Sequence, residues 1–236
     1  MRDPVRILHA ADCHIGATPD FGAADLAFAS LITAAIDLSA DVLVIAGDLF
    51  DSGTVPEQRV AWVREELRRL MRPIVALPGN HDPWGPQSIY RGLLAIDVQD
   101  LHVITAPQGE SLCVRGVTFW GRAVISHSPD FRPLLGAPPR PRGWGVLVAH
   151  GLIMGGDEPT TRGSPIYPTD LSSANWDYVA LGHWAQFREI EGYAARICYC
   201  GALATSRHGQ PGAVLVELNE SQLSVSQVEL GSAPSQ

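Results

Sequence analysis

The sequence predicts one α/β domain, and three observations carry that reading. Apolar runs of the buried-strand type stop abruptly at glycine or at an acid, helical stretches separate them in the first half, and shorter strands with turn residues fill the second. A strand, helix, strand unit of about 30 residues is a βαβ unit, and ligands in such sheets sit outside the carboxyl ends of the strands. A chain of 236 residues is long enough for one domain with a sizeable core. The domain is expected over residues 1–230, with 231–236 as a flexible tail.

Val5 to Ala10 reads as the first strand and runs into Asp12-Cys13-His14 just where the apolar pattern ends. Phe21 to Ser39, rich in Ala and Leu, reads as a helix. Asp41 to Ala46 is the second strand, and it stops at Gly47-Asp48, an acid that cannot stay buried without a partner. Thr54-Val55-Pro56-Glu57 has the form of a capping box opening a helix through Met71, which Pro73 ends. Arg64, Arg68 and Arg72 share one face of that helix, interleaved with Glu65 and Glu66, as on a solvated surface.

Ile74 to Leu77 is the third strand, delivering Gly79-Asn80-His81-Asp82. Leu101 to Thr105, Ser111 to Val114 and Val117 to Val124 read as shorter strands with Gly109 and Gly116 at turns. Ile125 to Gly143, broken by prolines, reads as a surface loop whose Arg132, Arg140 and Arg142 are available to substrate. Gly145 to Ala149 is a buried strand ending in His150, and the irregular stretch to Ser173 holds Arg162 and Tyr167 as candidate substrate contacts. Trp176 to Leu181 is a strand ending in Gly182-His183-Trp184-Ala185, where Trp184 is either a base-stacking or a packing residue. Ala194 to Cys200, Ala213 to Leu218 and Gln222 to Leu230 read as a closing β meander.

Composition narrows the function classes. No apolar run approaches the length of a membrane span and no signal-peptide pattern precedes the first strand, so a soluble cytoplasmic protein is expected, with no membrane partner. The formal charge of −8 argues against a broad electrostatic footprint for duplex DNA, although all 17 basic residues are arginines. Cys13, Cys113, Cys198 and Cys200 lack zinc-site spacing and disulfide density, and read as reduced. His9 reads as a satisfied core residue, and His102 and His127 as structural or exposed.

The strand ends together present Asp12, His14, Asp48, Asp51, Asn80, His81, Asp82, His150 and His183. Carboxylate, imidazole and amide oxygen are ligands for divalent ions such as Mn, Fe, Zn or Mg, and one carboxylate can bridge two ions. Two such ions about 3.5–4 Å apart suit in-line attack at phosphorus. Five of these residues on one edge of one sheet are hard to explain as separate polar caps.

In order and spacing these segments resemble the calcineurin-like metallophosphoesterases, with their pattern of DxH, GDxxD, GNH plus an acid, a lone His and GHxH. The resemblance implies a four-layer αββα sandwich of two mixed β-sheets flanked by helices, with the metal site at the strand ends. It implies Asp12, His14 and Asp48 as ligands of a first metal, and Asp48, Asn80, His150 and His183 as ligands of a second. His81 would be the general acid and Asp51 its orienting partner. Asp12-Cys13-His14-Ile15-Gly16, Gly47 to Asp51, and Tyr199 to Ser206 look like the nuclease component of DNA double-strand-break repair complexes, the bacterial SbcD type. That likeness implies manganese-dependent DNA exo- or endonuclease activity and an SbcC-like ATPase partner. A homodimer is a separate expectation.

One position departs from the pattern. Ala185 stands where the second His of GHxH would hold the first metal, and a methyl group coordinates nothing. Three readings of this position stay open: an engineered inactivating substitution, a natural enzyme whose first site is weak or empty, or replacement of the lost ligand by Gln186, His208 or water. A small phosphoester or nucleotide as substrate, and a catalytically impaired nucleic-acid-binding protein, are the alternative readings.

Overall fold

A computed structural model describes residues 4–18, 22–94, 98, 100–204, 212–220 and 222–230. Two six-stranded mixed sheets pack face to face. The first holds β1 (Val5–Ala10), β2 (Val42–Ala46), β3 (Ile74–Leu77), β4 (Leu101–Val103), β13 (Gly212–Asn219) and β14 (Gln222–Glu229), in the order β14-β13-β1-β2-β3-β4. β1 to β4 are mutually parallel, while β13 pairs antiparallel with both β1 and β14.

The second sheet consists of β5 (Glu110–Val114), β6 (Val117–Gly121), β7 (Trp144–His150), β10 (Tyr178–Gly182), β11 (Phe187–Ile190) and β12 (Arg196–Cys200). Its order is β11-β12-β10-β7-β6-β5. β6, β7, β10 and β12 are parallel, and β5 and β11 close the edges antiparallel. A short parallel pair, β8 (Leu152–Ile153) with β9 (Pro165–Ile166), lies outside both sheets.

Side-chain alternation along each strand sorts the core into layers. Ile7, Val42, Val44 and Val75 meet Phe119, Val146, Tyr178, Cys198 and Cys200 between the sheets. Leu8, Leu43, Ile45 and Ala76 face the other way, against Phe28, Leu31 and Ile32 of α1 (Ala23–Asp37) and Val60, Val63 and Leu67 of α2 (Glu57–Leu70). A buried ion pair, Arg59 to Asp25 at 2.9 Å, ties these two helices together. α3 (Tyr90–Leu94) completes this side, whereas among the described residues the outer face of the second sheet packs against α4 (Pro168–Ala174), the β8–β9 pair and loops. The helical layers are therefore unequal. Among the described residues no helix is long and apolar enough to cross a membrane.

Several boundaries differ from the sequence reading. The last three strands do not form a meander: β12 lies in the second sheet beside β10, and the β13–β14 hairpin belongs to the first. Short apolar strands specify a buried face but not which sheet edge they join. β11 is not legible in the sequence, because Phe187-Arg188-Glu189-Ile190 puts charge in its middle. The capping box at Thr54 does not form. Pro56 takes the N-cap position and the Thr54 N–H donates to Ser52 Oγ at 3.3 Å. The strand expected to Val124 ends at Gly121, after which Arg122 turns to bond the carbonyls of Pro107 and Arg132. Residues 231–236 and His208 lie outside the described residues.

His9 is fully buried, with Nδ1 2.9 Å from the Tyr178 hydroxyl across the sheet interface. Burial pushes its pKa down to about 3. The folded chain thus holds His9 neutral, while the unfolded chain protonates it below about pH 6.5. This contribution to stability is fully present above pH 6.5 and is lost as pH falls from there toward 3, at a limiting slope of about 1.4 kcal/mol per pH unit. Urea unfolding at pH 7.5, 6 and 5 should therefore show a steeper loss for the parent than for His9→Gln. Parallel pH profiles would refute the assignment.

Candidate metal centre

The carboxyl ends of β1, β2 and β3 are neighbours, as are those of β7 and β10, so five loops converge where the two sheets meet. Backbone bonds fasten them. Cys13 N–H and His14 N–H both donate to Asp48 O, at 2.8 and 3.1 Å, and Ile15 N–H donates to Leu49 O at 3.0 Å. His183 N–H donates to Asp12 Oδ2 at 2.8 Å, and His81 N–H to Asp48 Oδ1 at 2.9 Å.

This convergence is tight enough to dictate sequence. A Cβ on Gly79 would stand 2.1 Å from Asp48 Oδ1, and one on Gly47, whose φ is +96°, would stand 2.1 Å from His150 Nδ1. Asp12, His14, Asp48 and His183 all adopt positive φ, between +49° and +97°. Such backbone costs non-glycine residues on the order of 1–3 kcal/mol each and persists only where the surroundings enforce it. Four of the eleven such non-glycine residues among those described gather in this one cluster, in keeping with a site that enforces its own backbone.

Asn80 Oδ1 lies 2.9 Å from both His150 Nε2 and His183 Nδ1, and Asp48 Oδ2 lies 3.2 Å from His150 Nε2. His150 Nδ1 is 2.9 Å from Ala46 O. A carbonyl only accepts, so Nδ1 carries a proton and Nε2 is directed at Asn80 and Asp48. That is how a backbone carbonyl orients an imidazole for a metal. Asp48 also belongs to two groups of atoms within 4.8 Å of one another, one with Asp12 and His150 and one with His14 and His81. The donor set fits divalent metal, and Asp48 stands where the two groups join.

The buried groups bias one another's protonation. Burial would raise the Asp48 carboxyl, but the neighbouring His150 charge and bonds from His150 and His81 hold it well below the usual carboxylate range. Burial would lower His150, yet Asp48 overrides it and lifts the imidazole to about 9. His183 is pushed down to about 4 by burial and then by the charge of His150, so it remains neutral with a lone pair to offer. Asp12 is raised by burial.

The remaining sequence-predicted residues fall as follows. Asp51 Oδ1 is 3.3 Å from His14 Nδ1 and 3.9 Å from His81 Nδ1, whereas its backbone carbonyl accepts from His81 Nδ1 at 2.9 Å. The Asp51 carboxylate thus sits nearer His14, and its main chain orients His81. Trp184 and Arg162 line one cleft. Tyr167 stands apart, with the Arg132 guanidinium 4.9 Å over its ring. Arg132 and Arg140 are ion-paired with Asp170 and Asp177, which makes them structural in the loop from 125 to 143. Ala185 and Gln186 are exposed, and the carbonyl of Ala185 accepts from Ala202 N–H at 3.1 Å.

Two residues have roles that the sequence does not assign. Asp82, wholly buried, accepts from Gly79 N–H at 2.7 Å, Phe50 N–H at 2.9 Å and the Tyr90 hydroxyl at 2.8 Å, so it pins the β3 loop to the β2 loop. Its acidic place after Gly79-Asn80-His81 is visible in the sequence, but its target is not. His127 stands 5.4 Å, ring to ring, from His183, and the Cβ position of Gly163 would lie 2.6 Å from its ring. Nothing in the breaker-rich loop signals that.

Residues 5–187 match the calcineurin-like phosphoesterase family. The chain is 24% identical to the uncharacterized metallophosphoesterase YhaO of Bacillus subtilis, over 95% of the chain and 60% of that protein. It is 32% identical to one component of the SbcCD nuclease of the same organism, SbcD, over 46% of the chain and 29% of that protein. It therefore spans less than two thirds of the length of either curated relative. A dimetal phosphatase from Danio rerio superposes with a TM-score of 0.63 at 13% identity, covering 96% of the chain and 98% of that structure. An archaeal phosphodiesterase superposes with a TM-score of 0.56 at 14% identity, covering 95% and 100% respectively. Both share the fold.

Proposed function

The chain belongs to the calcineurin-like phosphoesterase family, and from that premise we propose that it is a metal-dependent phosphodiesterase acting on DNA ends or single strands. The observation that carries the reading is Asp48, whose carboxylate is common to both groups of ligand atoms. Asp48, Asn80, His150 and His183 would hold one divalent ion, with manganese the proposed metal, and Asp12, His14 and Asp48 another. Such a pair lowers the pKa of bound water and neutralises charge on the phosphoryl oxygens.

The chain's own groups supply the rest. With Nδ1 of His81 bound to the Asp51 carbonyl, Nε2 is the nitrogen that can pass a proton to the departing oxygen. Asp51 steadies His14, and the Ala46 carbonyl holds His150 in the ligating tautomer. The partial likeness to the nuclease component SbcD supports nucleic acid as substrate; an SbcC-like ATPase partner and a homodimer are carried as part of the same proposal. A second reading keeps the chemistry and substitutes a nucleotide or small phosphoester, favoured by the net charge of −8.

The test is manganese-dependent hydrolysis of bis(4-nitrophenyl) phosphate and of a single-stranded oligonucleotide by the parent and by Ala185→His. Ala185 leaves the first ion a ligand short, and even losses behind the ligands cost roughly 10- to 100-fold. The histidine variant should therefore be at least about tenfold faster at limiting manganese. Hydrolysis of the small diester alone would favour the second reading. Silence from both proteins, on both substrates, would overturn diester hydrolysis.

A further inference from the structure

Beside the metal centre lies a cleft of about 520 Å³ lined by Ile153, Met154, Arg162, Trp184, Arg188 and Tyr199. It begins where the centre stops: Trp184 follows the ligand His183, and Leu152, also at the cleft, lies two residues beyond His150. The Tyr199 hydroxyl donates to Gly151 O at 2.9 Å and accepts from Ile153 N–H at 2.8 Å, which fixes the wall. Its size lies within the range of sites for small organic ligands.

Two features give the cleft its chemistry. Trp184, on its lining, is 38% exposed, whereas Trp120, Trp144 and Trp176 are buried. Arg162 and Arg188 make no side-chain hydrogen bond or ion pair among the described residues. Elsewhere guanidinium groups are engaged, as at Arg6, Arg64, Arg69, Arg132, Arg140 and Arg196. In an acidic chain, two guanidiniums lining one cleft favour an anion, and an aromatic side chain next in sequence to the ligand His183 suits a flat ring.

We propose that this cleft binds one nucleotide of single-stranded DNA beside the scissile phosphate, its base against Trp184 and its phosphate against Arg162 and Arg188. The inference rests on the diester reading and deepens it. Only an unpaired base presents its face for stacking, so the cleft selects single strands over duplex.

Binding is measured by fluorescence anisotropy with the full chain in EDTA, so that turnover is absent. The probes are labelled decathymidylate, an abasic decamer of equal charge, and thymidine monophosphate as competitor. The parent should bind decathymidylate about tenfold tighter than the abasic strand. Trp184→Ala should abolish that preference and Trp184→Phe should keep most of it. Arg162→Ala with Arg188→Ala should reduce the slope of log affinity against log salt by about 1.4. No base preference in the parent, a preference surviving Trp184→Ala, or an unchanged slope would overturn the proposal. Thymidine monophosphate binding as tightly as the decamer would assign the cleft to free nucleotide instead. A chain that binds as described but cleaves nothing would overturn diester hydrolysis and leave this site standing; cleavage without base preference would do the reverse.

Discussion

Asp48→Asn should lower manganese-dependent diester hydrolysis by at least about a thousandfold, or roughly 4 kcal/mol of transition-state stabilisation. The amide removes the negative charge and leaves one oxygen where two are needed to serve the two ligand groups that Asp48 joins. The fold should survive, because the amide oxygen can still accept the His81 N–H that Asp48 Oδ1 accepts now. Circular dichroism and urea unfolding separate these effects. A variant keeping more than a tenth of parental turnover would remove Asp48 from the centre of the site.

Asp82→Ala should cost about 3 to 5 kcal/mol of stability. Three donors, from Phe50, Gly79 and Tyr90, lose their acceptor inside the protein, and each unsatisfied group costs about 1–3 kcal/mol. Burial and the nearby Asp48 charge push the Asp82 carboxyl up to about 6, so its charge is already strained and the net loss stays below the sum of three full penalties. For a chain of this size the midpoint of thermal unfolding should fall by about 10 °C. Asp82→Asn, which retains one acceptor oxygen, should cost less. Manganese affinity should drop with Asp82→Ala as well, since Asn80 sits on the turn that Asp82 anchors. Unfolding unchanged by the alanine would show that those bonds contribute nothing.

Much of the site is legible in the sequence because its physics is local. A parallel strand buried on both faces reads as a continuous apolar run, and its abrupt end in Gly47-Asp48 or Gly79-Asn80 locates a loop at the carboxyl edge. The glycines are legible for the same reason: the loops approach so closely that no side chain fits between them. What is not legible depends on partners far away in the chain. The sheet to which Arg196–Cys200 belongs is set by its pairing with β10, not by its own apolar residues. His127 reaches the centre only because the loop from 125 to 143 folds back over Gly163. The Asp51 carboxylate and carbonyl divide between two histidines, a choice that residue spacing does not encode.

The most direct measurement is anomalous diffraction at the manganese edge from crystals of the chain grown with manganese. The predicted result is a peak about 2.0–2.3 Å from Asn80 Oδ1, His150 Nε2, His183 Nδ1 and the Asp48 carboxylate, with a weaker or absent peak near Asp12 and His14 that strengthens in Ala185→His. A manganese peak elsewhere, or none among these side chains at saturating metal, would contradict the account.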